Sequence, residues 1–254
     1  MKGVALLTVP RSGSEWLGSL ANATGSMGCF GEWLDPDHLK FVARSYDELE
    51  SAVLKAGLSE NGRFAIKLFP GHLRETREKF EKDFLFEALK KHEIGLIFLE
   101  RRDRLRQAIS YYRASVSRQW TNRARGTGAK AAYDFAEISR ACISLEDGYS
   151  FWSKYLDMLG LPHKHVVYEE MFEDPTPFLE AVAEHMGVAA PAERPASSIQ
   201  IQRDGLTEEW AERFRSDAAA NGIIDLLLEE RPAVRTLSNL RRFFKKRPLT
   251  KAYS

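Results

Sequence analysis

Leu6-Leu7-Thr8-Val9-Pro10-Arg11-Ser12-Gly13-Ser14-Glu15-Trp16-Leu17 is the stretch on which the reading of this chain turns. The apolar run Val4 to Leu7 predicts a buried strand, and Pro10 stops it. Arg11-Ser12-Gly13-Ser14 is a tight polar turn. Leu17, Leu20 and Ala21 then recur at helical spacing, and Thr24-Gly25 closes the helix. A strand, a short Gly/Ser turn and a helix make an anion grip. The first N–H groups of a helix lack partners, and its dipole favours negative charge there. Gly13 permits close backbone approach, Ser12 and Ser14 supply hydroxyl donors, and Arg11 supplies a charged fork. An ordinary strand–helix turn capped by Ser14 fits the same pattern, so this stretch alone leaves both readings open.

Gly13 and Gly18 have the glycine spacing of G-x-x-x-x-G-K-[ST], but Ser19 stands where the lysine belongs. No G-x-G-x-x-G occurs either, which disfavours kinases, GTPases and dinucleotide enzymes. The 254 residues suffice for one large domain with a substantial core. A net charge of +1 implies no polyanion-binding surface, and no nucleic-acid partner is expected. Cys29 and Cys142 make neither a disulfide framework nor a metal-ligand cluster; no metal is expected, and a cytoplasmic, reducing location fits. No apolar run of about 18 residues is present to span a membrane. Pro10-Arg11 interrupts the first apolar segment too early for a signal peptide.

Further along, helices are expected over residues 45–56, 80–92, 101–119, 133–159, 178–186 and 206–221. Strands are expected over 64–69, with Lys67 inside, over 94–99 and over 165–168. Residues 26–36 read as a glycine-rich, then acidic and aromatic loop, and 121–130 as a polar, basic, mobile one. Strands separated by helices imply crossover connections, hence an α/β domain with a mainly parallel central sheet flanked by helices. That domain is placed at residues 1–235. The basic tail 236–254 contains Arg241-Arg242-Phe243-Phe244-Lys245-Lys246-Arg247. It reads as a solvated end packing one phenylalanine, with contact to an acidic or lipid surface as the alternative.

A second anion site is suggested by Glu100-Arg101-Arg102-Asp103, which follows the 94–99 strand, and by Ser110 two turns inside the next helix. Arginine gives bidentate phosphate contacts and serine a short hydroxyl donor. Alone this is weak, because arginines at strand ends are usually solvated.

Taken together, the two stretches resemble the paired 5′- and 3′-phosphate sites of sulfotransferases that use 3′-phosphoadenosine 5′-phosphosulfate (PAPS). The chain is most similar to the bacterial trehalose sulfotransferase family. The resemblance rests on Pro10-Arg11-Ser12-Gly13-Ser14, Ala23-Thr24-Gly25 with Gly28, Glu32-Trp33, Lys67-Leu68, Arg101-Arg102-Asp103, Gln107-Ala108-Ile109-Ser110 and Arg113-Ala114. It continues through Trp120, Trp152, Tyr168-Glu169, Glu209-Trp210 and Arg213-Phe214, covering roughly residues 4–217.

The resemblance implies a P-loop-like sulfotransferase fold and transfer of a sulfuryl group from PAPS to a carbohydrate or glycolipid hydroxyl, with release of 3′,5′-adenosine bisphosphate (PAP). It implies that Arg11, Ser12, Gly13 and Ser14 bind the 5′-phosphosulfate, and that Arg101 or Arg102, with Ser110, binds the 3′-phosphate. Glu32 falls at the position of the general base, and Trp33 beside the acceptor or simply packed. Arg11 and Lys67 are expected to stabilise the departing phosphate. A homodimer is left open. One departure stands out: Glu15 replaces the Thr or Ser usual after Gly-Ser. A carboxylate there repels an anion unless it turns away or pairs with Arg11, Lys67 or another cation. A protein that binds PAP, or another phosphorylated ligand, without transfer chemistry is the alternative reading.

Overall fold

The computed structural model describes residues 1–120, 127–199, 205–224 and 227. The basic tail and the centre of the 121–130 loop lie outside the described residues.

Among the described residues, four strands form one sheet in the order β2-β1-β3-β4, with the pairings between strands all parallel. They are β1 (Lys2–Leu7), β2 (Phe64–Leu68), β3 (Glu93–Glu100) and β4 (Lys164–Val167). Their near-continuous apolar runs follow from burial on both faces, since each strand must satisfy two cores. On β1, Val4 and Leu6 enter one core while Ala5 and Leu7 enter the other. The Val4 face is covered by α1 (Ser14–Ala23) and α9 (Thr176–Met186) through Leu17, Leu20, Phe178 and Val182. The Ala5 face is covered by α3 (Tyr46–Gly57), α5 (Phe84–Lys91), α6 (Arg104–Ser117) and α7 (Phe135–Leu159). Short α2 (Pro36–Leu39), α4 (Pro70–Phe80) and α8 (Tyr168–Glu173) and the later α10 (Gly205–Asn221) complete the described elements. No helix among the described residues is long and apolar enough to cross a membrane.

All four expected strands are present, each within two residues of its expected limits. The expected helix 80–92 needs correction. Phe80 closes α4, and α5 begins only at Phe84, N-capped by Asp83 through the Phe86 N–H. No helix is expected over residues 70–79, yet Pro70 starts one: proline suits the first helical position, because the N–H it lacks would be unpaired there.

The winding reverses at β1: the chain passes from β1 to β2 on one side, then crosses to β3 on the other. Crevices at the carboxyl ends of strands beside such a reversal are where open α/β sheets take ligands. The turn after β1 and the segment after β3 both emerge there.

Candidate active site

The turn after β1 is held by groups from distant parts of the chain. Thr8 donates its hydroxyl to the Leu99 carbonyl at 2.8 Å, and its own carbonyl accepts the Trp152 indole N–H at 2.7 Å. The Pro10 carbonyl accepts from Gln107 Nε2 at 2.8 Å, and the Arg11 carbonyl from Arg101 Nη1 at 3.1 Å. With its carbonyls occupied inward, the turn reverses at Arg11 (φ 62°) and Gly13 (φ 95°) to enter α1. A β-carbon on Gly13 would lie 2.2 Å from Tyr168 Cδ2, so only glycine lets that ring rest on the turn. No side chain caps α1. Ser12 is fully buried, and its Oγ has no hydrogen-bond partner among the described residues. A buried hydroxyl left unpaired is costly, and a ligand oxygen is one way to satisfy it.

On the β3 flank, Arg101 Nη1 reaches the Arg11 carbonyl, its guanidinium lies 5.0 Å from the Tyr168 ring centroid, and its buried Nε has no partner among the described residues. Arg11 Nε donates to Ser110 Oγ at 2.9 Å, and its Nη1 contacts the Trp120 carbonyl. Burial lowers the Arg11 pKa from its ordinary value, as do the guanidiniums of Arg101 and Arg113, with Glu15 opposing. Arginine nonetheless stays charged, so Arg11 and Arg101 hold two positive charges close together at the turn. A cavity of about 960 Å³ opens beside them, lined by Arg11, Arg101, Ser110, Arg113, Tyr168 and Thr207 among others. The neighbouring Arg106 is neutralised by Asp103 and Glu208. Arg102 points elsewhere: its side chain is 62% exposed and pairs with Glu170.

On the β2 flank stands Lys67, a lysine only 2% exposed. Its stem runs past Gly18 of α1, where a β-carbon would be 3.8 Å from Lys67 Cδ. Its ammonium contacts Glu15 Oε2 and lies 3.4 Å from Glu32 Oε1. The Lys67 N–H donates to the Gly31 carbonyl at 2.9 Å, so Glu32 is fixed by its neighbour's backbone as well. Trp33 folds back over this loop. A β-carbon on Gly31 would sit 2.4 Å from the indole, whose N–H donates to the Cys29 carbonyl at 2.7 Å. His72 lies close by in α4. Its Nδ1 accepts the Phe69 N–H at 3.2 Å, and burial lowers its pKa despite the opposing fields of Glu32 and Asp35.

The structure therefore brings Arg11, Ser12, Gly13, Ser14, Arg101 and Ser110 together at the reversal point, and Lys67 with Glu32 on the opposite flank of β1. It separates Arg102 from both groups and packs Trp33 against its own loop. Tyr168, Gln107 and Trp152 carried no assigned role in the sequence, although they organise the turn. Their place among the residues that carry the family resemblance was the signal, and the structure adds that Tyr168 directly follows β4 and so stands at the rim.

The family model for Stf0 sulphotransferase matches residues 4–217. The trehalose 2-sulfotransferase of Mycolicibacterium smegmatis is 28% identical over 129 residues, 50% of this chain and 48% of that protein. The trehalose 2-sulfotransferase of Mycobacterium tuberculosis is 23% identical over 128 residues, with the same shares covered. The chain thus spans about half the length of the curated relatives it matches. A sulfotransferase crystal structure from Alicyclobacillus acidocaldarius aligns with a TM-score of 0.46 at 13% identity, over 91% of this chain and 97% of that one. With the matched region running from the first strand into α10, this chain belongs to the Stf0 sulphotransferase family.

Proposed function

We propose that this protein transfers a sulfuryl group from PAPS to a hydroxyl of a carbohydrate or glycolipid acceptor. The observation that carries the reading is the fully buried Ser12 hydroxyl, without a hydrogen-bond partner among the described residues, in an uncapped α1 turn beside the crowded guanidiniums of Arg11 and Arg101. Unpaired donors and unneutralised cations are what a bisphosphorylated nucleotide would satisfy. PAPS supplies the sulfuryl group and departs as PAP.

The 5′-phosphosulfate is held by Arg11, Ser12, Ser14 and the amides around Gly13. The 3′-phosphate falls to Arg101 and Ser110, with Arg102 left outside because it faces Glu170. Glu32 takes the acceptor hydroxyl's proton on its carboxylate, and Lys67 and Arg11 stabilise negative charge on the leaving phosphate. Membership of the family and the trehalose-acting relatives support this assignment.

Calorimetry with PAP and with ATP tests donor recognition: PAP is expected to bind and ATP to bind far more weakly. Radiolabelled sulfate transfer from PAPS to crude glycan and lipid extracts tests turnover and finds the acceptor. For Glu32→Gln, the expected outcome is unchanged PAP binding and a single-turnover rate lower by roughly 10²–10⁴. Transfer within a few-fold of wild type removes Glu32 as the base. PAP binding with no transfer to any acceptor class favours the alternative, a ligand-binding protein without chemistry, which the Glu15 contact on Lys67 suggests.

A further inference from the structure

We infer that Glu15 is an internal counter-anion that competes with the donor for Lys67, and that it acts as a specificity-determining gate on the sulfuryl end of the site. This rests on the donor reading above. Lys67 is the anchored member of the trio. Its stem is confined between β2 and the Gly18 notch of α1, and it is 2% exposed. Its single positive charge faces two carboxylates, Glu15 in contact and Glu32 at 3.4 Å. Both carboxylates already stand against Lys67, so an arriving sulfonate takes a place there only as one of them withdraws.

The two carboxylates are not equivalent. Glu32 is 28% exposed, and its loop is tied to β2 by the Lys67 N–H to the Gly31 carbonyl. Glu15 is 41% exposed and stands in the first turn of α1. It can rotate toward water while its backbone stays helical, and the helix dipole and the nearby Arg11 still favour its charge there. Glu15 is therefore the group that yields, and its carboxylate occupies Lys67 in the free protein as a sulfuryl oxygen does in the complex. In the intact donor Lys67 meets the sulfuryl end, and it takes up charge on the adjoining phosphate oxygen only as the S–O bond breaks, so a ligand without the sulfuryl group meets less of the conflict. The consequence is a site whose preference between PAPS and its product PAP is set by a side chain outside both phosphate grips.

The test is calorimetry of PAP and of PAPS, without acceptor, against wild type, Glu15→Gln and Glu15→Asp. Glu15→Gln keeps the shape and removes the charge. It is expected to tighten PAPS by about three- to tenfold, a range held low because the carboxylate is partly solvated, and to tighten PAP by less. Glu15→Asp keeps the charge at the mouth and is expected to hold the wild-type PAPS-to-PAP ratio within about twofold. An unchanged ratio in Glu15→Gln, or weaker PAPS binding, overturns the gate and leaves Glu15 as a loop organiser. Failure of wild type and Glu15→Gln alike to bind either nucleotide overturns the donor reading itself, and the gate with it, which is a different result. Thermal melts of the variants establish that each is folded before its ratio is read.

Discussion

Arg11 does two jobs that sequence alone does not separate. Its backbone turns the chain at φ 62°, and its guanidinium bonds Ser110 inside the cavity wall. Truncation to alanine retains the turn through the carbonyl bonds to Arg101 and Gln107 while removing the fork. Arg11→Ala is expected to weaken PAP by about ten- to a hundredfold, the loss of one charge-assisted contact. Unchanged affinity in the titration removes Arg11 from the ligand. Arg101 and Arg102 give a sharper contrast. Arg101 is stacked over Tyr168 and lines the cavity, whereas Arg102 reaches Glu170 in solvent. Arg101→Ala should therefore lose preference for PAP over adenosine 5′-phosphate, and Arg102→Ala should keep it. Retention of the preference in both variants shows that neither reads the 3′-phosphate. The sequence offered these arginines as an ambiguous pair, because which one faces inward depends on how β3 exits the sheet.

The turn, α1 and β4 form a unit in which each part explains a neighbour's residue type. Tyr168 lies against Gly13 and also meets the Arg101 guanidinium. Gly13→Ala places a methyl into that ring and forces alanine to φ 95°, so a loss of about 1–3 kcal/mol or more is expected from strain alone. Urea unfolding measures it, and a loss under about 0.5 kcal/mol means that Tyr168 simply moves aside. The strands and longer helices were readable because their apolar periods are long: the 94–99 run, and the spacing through α7, admit few alternatives. α4 escaped because His72, Leu73 and Thr76 are its only buried residues, too sparse a pattern to outweigh Pro70 and Gly71. α8 escaped because six residues hold under two turns. The pairing of Glu15 with Lys67 was one of several open options, since it depends on two strands and a helix meeting in register. The Ser12 hydroxyl left without a partner had no sequence signal at all.

Across the molecule, the two cores lie on opposite faces of the sheet, and the rim near Lys67 holds a histidine whose pKa burial lowers. His72 has its pKa lowered in the folded state, so below its ordinary value of 6.5 the unfolded chain binds a proton that the folded chain refuses. Its contribution is complete above that pH and is lost as pH falls further. Denaturation midpoints should therefore decline from pH 7 to pH 5, with a shallower slope in His72→Asn, whose amide oxygen can still accept the Phe69 N–H. Identical slopes remove His72 as a source of acid sensitivity. The strand order has a consequence for how the protein is made. β1 is the sheet's inner strand beside the reversal, yet Lys2 pairs with Glu93 and Gly3 with Phe64. On the ribosome, β1 is synthesised roughly 5–20 s before β3, at about 5–20 residues per second. Until β2 is made Val4, Ala5, Leu6 and Leu7 have neither flank paired, and until β3 follows only the β2 flank can be, so the nascent strand presents apolar surface of the kind chaperones shield. The turn after β1 acquires its shape only once Arg101, Gln107, Trp152 and Tyr168 have all emerged.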